Sequence, residues 1–157
     1  MTDARFEDGS DAPLALIAQD AEDLGVISAL LQDAVMVVSD MRYVAKRREL
    51  GVLLNRFRWE DRAAAEREGR SYERVRCLLV FNDVLKVAAQ GVQQAEPDTI
   101  LSLLSLAFEP GEDGMGRVRL TLAGDGEVVL DVESLNVTAR DVTRPYAAPS
   151  RKVPDHR

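Results

Sequence analysis

The chain has 157 residues, 46% hydrophobic and 30% charged, with a net charge of −7. That is enough apolar material for one core and excludes wholesale disorder. One cysteine, Cys77, excludes an intramolecular disulfide, and no stretch reaches the roughly 18 uninterrupted apolar residues of a membrane span. The N-terminus lacks the apolar segment of a secretion signal, so a cytoplasmic location and no membrane partner are expected. Residues 1–33 hold eight acids against one base, Arg5, and carry the whole charge excess. The rest of the chain is balanced and sets up no global field for a polyanion.

In chain order, residues 1–12 read as a flexible acidic arm and Leu14–Ala18 as a short strand. Asp20 then opens the clearest helix, capping its first turn, with Glu22 and Asp23 favourable to the dipole. Ala21, Leu24, Ile27, Leu30 and Leu31 follow at helical spacing and need a sheet to cover. From Ala34 the period becomes two: Val35–Val38, Arg42–Ala45 and Leu50–Trp59 read as strands, with Lys46-Arg47-Arg48-Glu49 as a turn. Residues 61–71 are either a solvated loop or one or two helical turns closed by Gly69. Tyr72–Phe81 and Val84–Val92 are strand-like around an Asn82-Asp83 turn. The apolar run Ile100–Phe108 fits a buried strand or a buried helix, and its length favours a strand. Val118–Leu122 and Val128–Val132, joined through Gly124-Asp125-Gly126, read as a hairpin with Arg117, Arg119 and Thr121 facing water. Residues 143–157 carry three prolines and form an extended or disordered tail.

Chemistry is hard to place. The one histidine, His156, stands next to the C-terminus, which nearly removes Ser-His and Cys-His catalysis. One Cys and one His cannot build a zinc site unassisted, and Asp20, Glu22 and Asp23 are explained by helix capping without an ion. Gly111–Gly116 is acidic and leads into a strand, unlike a phosphate cradle. No catalytic residue, cofactor or metal is therefore expected.

One stretch is a candidate binding surface. Residues 40–76 hold eleven bases and seven acids, and Arg42, Arg47, Arg56, Arg58 and Trp59 could present a positive, aromatic face. Alternation puts Arg56 and Arg58 on one side, facing water, and Phe57 and Trp59 on the other. The plainer reading is a strand that buries Phe57 and Trp59, and the interleaved Glu60, Asp61, Glu66 and Glu68 dilute any phosphate field, so nucleic acid is disfavoured as a partner.

The strings ALIAQDAEDLGVISALLQDAVM (15–36), LNRFRWED (54–61) and RVRLTLAGDGEVVLDVESLNVTARDV (117–142) resemble blocks of a bacterial family known as domain of unknown function 2948. The resemblance runs from Leu14 to about Val142 and implies a stand-alone bacterial intracellular domain, with no activity, cofactor or catalytic residue to carry over.

The fold expected is α+β over residues 13–142: one N-terminal helix on a curved, mostly antiparallel sheet of about seven to nine strands, open or partly closed as a barrel. The function expected is a non-catalytic interaction or regulatory module with a protein partner or a second copy of itself. The competing class is a small-ligand-binding or carboxylate-dependent enzyme domain with a pocket near Arg56 or Asp20. The charge split also suggests that the acidic arm contacts the basic region of its own chain.

Overall fold

The computed structural model describes residues 12–92, 96–148 and 153–154; the acidic arm, His156 and part of the tail lie outside these residues. Among these described residues, eleven strands form one antiparallel sheet. They are β1 (Ala15–Ala18), β2 (Ala34–Val37), β3 (Met41–Val44), β4 (Glu49–Phe57), β5 (Glu73–Phe81), β6 (Val84–Gln90), β7 (Ile100–Pro110), β8 (Gly116–Leu122), β9 (Glu127–Val132), β10 (Val137–Asp141) and β11 (Tyr146–Ala147). Their order is β1-β10-β5-β4-β2-β7-β8-β9-β6, with β3 also beside β4 and β11 also beside β5. The helices are α1 (Ala21–Leu30) and α2 (Arg62–Glu68).

The strand count and the single helix of the expected fold are corrected, and the alternatives left open for residues 61–71 and for closure of the sheet are resolved. Nine expected strands correspond to β1–β9, while β10 and β11 are additional, both held to β5 by pairing distant in sequence. A second helix, α2, occupies the alanine-rich stretch and ends on Gly69 in the left-handed region at φ 66. The sheet is not closed. Asp83, at φ 58, turns the chain after β5 so that β6 pairs with β9 and becomes one edge of the sheet, with β1 at the other.

Local chemistry accounts for the main elements. The Asp20 carboxylate accepts from the Asp23 amide at 2.8 Å and caps α1, which buries Leu24 and Ile27. β7 is a strand with a bulge between Leu103 and Ser105. The bulge shifts the inward parity from Leu101 and Leu103 to Leu106, which is why the run reads ambiguously by periodicity. The freed amide of Leu106 donates to Ser28 Oγ at 2.9 Å, tying β7 to α1. The β8–β9 hairpin pairs Val118 with Leu130 and Leu120 with Val128 across its turn. Side chains from both ends of the strand order enter one apolar cluster, each large one contributing about 1.5–3 kcal/mol.

Candidate functional site

At one end of this core lies a buried ionic cluster. β4 places Leu50, Val52 and Leu54 on the core face, and Arg56 continues that row with 0% of its surface exposed. The strand ends at Phe57, and a single turn over Trp59–Asp61 swings Glu60 back towards Arg56. From the far side, Asp141 at the end of β10 reaches the same point, opposite Cys77 of β5. Arg56 Nε and Nη2 donate to the two Asp141 oxygens at 3.0 Å each. Its Nη1 and Nη2 donate to the Glu60 oxygens at 2.9 and 2.7 Å, and Nη1 also reaches the Phe57 carbonyl at 3.4 Å. A guanidinium has five N–H donors, and all five are used.

The cluster continues as a chain of alternating charge. Arg58, also buried, lies 3.7 Å from Glu60 Oε2 and 3.9 Å from Asp61 Oδ2, and donates to Glu73. Asp61 accepts both Arg70 Nη groups at 2.8 Å. Burial raises the proton affinity of Glu60, but its hydrogen bonds from Arg56 outweigh this and hold its pKa below the usual carboxylate value. Arg70 does the same for Asp61 through its hydrogen bonds. Burial weakens the charged form of Arg56, yet Glu60 and Asp141 reverse the balance and its pKa is raised. Burial, with the adjacent Asp141, pushes the Cys77 thiol up to about 12, so it stays protonated and a poor nucleophile at neutral pH. The Leu14 amide donates to Asp141 Oδ2 at 2.8 Å, so one carboxylate joins the entry to β1, the end of β10 and the end of β4. Such a saturated arrangement locks strand ends together and leaves Arg56 no donor for a substrate.

The expectation that Arg56 and Arg58 face water is thus overturned. Alternation correctly separates Arg56 from Phe57, but the inward side is the arginine's, because two carboxylates compensate its charge there. Phe57 is buried on the opposite side, packed edge-on against Trp59 at 4.7 Å and tilted against Tyr72 at 5.4 Å. The Trp59 indole N–H donates to the Gln32 carbonyl at 3.0 Å, so Trp59 is a half-buried structural contact. Arg42 and Arg47 do remain exposed, beside one another on a cleft of about 510 Å³ with Lys46. In the sequence the ionic cluster is marked by two short spacings, Arg56 to Glu60 at i,i+4 and Arg58 to Asp61 at i,i+3.

Arg42 also belongs to a surface that sequence reasoning missed. On the outer side of the sheet, strand pairing aligns Arg42, Gly51, Val80, Thr138 and Ile17 across β3, β4, β5, β10 and β1. The next row holds Leu53, Leu78, Arg140 and Ala15, and Asn55 with Arg76 stands beyond it. Arg42, Arg76, Arg140 and Ile17 are exposed, Ile17 by 64%. The side chains of Arg42, Arg76 and Arg140 make no ion pair or hydrogen bond among the described residues. Arg74 lies on the same side, half-buried, its Nη2 donating to the Asn55 carbonyl at 3.0 Å. Glu49 is the acid that the strand register adds to this side, and the charge of Asp33 acts on Arg74 there.

A family model described as protein of unknown function (DUF2948) matches residues 14–156. The chain belongs to this family. No curated protein and no solved structure matches it. The DUF2948 match takes in the whole ionic cluster and the outer arginine face and begins one residue before β1. Among the described residues of this DUF2948 protein, no group of three or more His, Cys, Asp or Glu could hold a metal ion. No helix among them is long and apolar enough to cross a membrane.

Proposed function

We propose that this protein is a non-catalytic interaction module that binds an acidic protein segment across the outer face of β3, β4, β5, β10 and β1. A contrast in arginine pairing carries the reading. Arg48 is paired with Glu133, Arg62 with Glu66, Arg117 with Asp131, and Arg119 with both Glu109 and Glu127. Arg42, Arg76 and Arg140, by comparison, gather on one sheet face without a partner among the described residues, and Lys46 and Arg47 extend the charge past its edge. Arg67 of α2 is the kind of isolated exposed cation that needs no partner. Between the arginines, Leu53, Leu78 and Val80 are half-buried and Ile17 is exposed, so a bound segment gains apolar contact as well as charge pairing.

A protein segment is favoured over single-stranded nucleic acid because the aromatic rings that would stack on bases are engaged. Phe57 is buried, and Trp59 is held by Phe57 and Gln32. A cytoplasmic site of action fits the buried, unbridged Cys77.

The test is the fluorescence anisotropy of a labelled oligoglutamate peptide titrated with the protein at low salt. Arg42→Ser with Arg140→Ser should weaken binding about tenfold, two exposed charge contacts being worth about 1–2 kcal/mol together. The double variant should keep wild-type stability, because both side chains are exposed and unpaired. Unchanged affinity, or tighter binding of a single-stranded oligonucleotide than of the peptide, would overturn the reading.

A further inference from the structure

We infer that residues 1–11 are the resident occupant of the outer arginine face and compete with the acidic partner for it. The inference rests on the proposed function and adds its regulation. Charge complementarity is the first support. The arm carries Asp3, Glu7, Asp8 and Asp11 against Arg5, a side-chain charge of −3, and its Phe6 supplies one apolar anchor. The face carries Arg42, Arg74, Arg76 and Arg140 against Glu49 and Asp33, whose charge acts on Arg74, a charge of +2.

Attachment and reach are the second support. The arm joins the fold at Ala12–Leu14, directly ahead of β1, which is the edge strand of this same face. From β1 the face extends over β10, β5 and β4 to β3, four strand spacings or about 19 Å. Eleven extended residues span about 36 Å. The arm therefore reaches Arg42 at the far side without detaching β1. The family match covers residues 14–156 and leaves the arm outside it.

A tethered segment acts at about millimolar effective concentration. If its own dissociation constant is on the order of 0.1 mM, it weakens a competing ligand about tenfold. The test compares three forms of the protein: the full chain, a chain lacking residues 2–11, and the full-length variant Asp3→Asn, Glu7→Gln, Asp8→Asn, Asp11→Asn. Each is titrated with labelled oligoglutamate, and the amide spectrum of each is recorded by NMR. Both arm variants should bind the peptide about tenfold more tightly than the full chain, with the gain vanishing at high salt. The Arg42 and Gly51 amides, remote from the point of attachment, should shift on arm deletion. Equal affinity of all three forms, with binding still weakened by Arg42→Ser and Arg140→Ser, would overturn the arm inference and leave the face reading intact. If no form binds the peptide, the face reading falls. The amide shifts then decide the arm alone: unchanged Arg42 and Gly51 amides overturn its docking, and shifted ones support it.

Discussion

Arg56→Met keeps much of the side-chain volume of Arg56 while removing all five of its donors, and it leaves two carboxylates facing each other where the cation stood. The Glu60 and Asp141 side chains are only 12% and 4% exposed, so water cannot replace the lost partner well. Breaking a buried pair in this way costs about 3–5 kcal/mol. For a chain of this size each kcal/mol shifts Tm by about 2–4 °C, which gives a fall of about 6–20 °C. Urea denaturation with far-ultraviolet circular dichroism measures the loss directly, provided the slope m stays at its wild-type value. The triple change Arg56→Met, Glu60→Met and Asp141→Leu should recover only part of it, because it removes the stranded carboxylates but takes a partner from the Leu14 amide and from Arg58. A loss below about 1 kcal/mol for Arg56→Met, in the range of an exposed pair, would refute the view that this cluster locks the strand ends.

Two further outcomes follow from the same interior. Glu60 and Asp61 have folded pKa values below their unfolded ones, so their contribution is complete above about pH 4.5 and is lost as pH falls through the folded values. The urea midpoint should therefore drop as pH falls below about 4.5 in the wild type and less so in Arg56→Met, where Glu60 has lost its partner; a flat profile in the wild type would contradict the pairing. Cys77, buried and with its thiol pushed up to about 12, should resist thiol-alkylating reagents in the native protein and react once urea unfolds it. Rapid alkylation of the native state would show an open path to the cluster.

Much of the architecture is readable in short-range chemistry. The Asp20 cap, the Leu24 and Ile27 stripe, the Gly69 stop and the Asp-Gly hairpin all depend on neighbours within a few residues, and each appears where those neighbours place it. What depends on distant pairing is not readable. β10 is four alternating residues and an aspartate whose role is set by β5, more than fifty residues earlier in the chain. The same distance hides the cluster, since Arg56 and Asp141 are 85 positions apart. Period two fixes that Arg56 and Phe57 lie on opposite sides of β4, but which side is inward depends on where Asp141 and Glu60 arrive. The outer face is concealed for the same reason, because Arg42, Arg76 and Arg140 become neighbours only through the register of three strand pairs. Charge counting over residues 40–76 detects the excess of arginine but not its division between a buried lock and an open surface.

The most direct test of the binding account is a map of the amide shifts of the ¹⁵N-labelled protein lacking residues 2–11 as oligoglutamate is added at low salt. The account predicts that Gly51, Val80 and Thr138 shift together, saturate with one affinity and return to their starting positions as salt is raised. Shifts confined to β7, β8 and β9, or none at all, would contradict it.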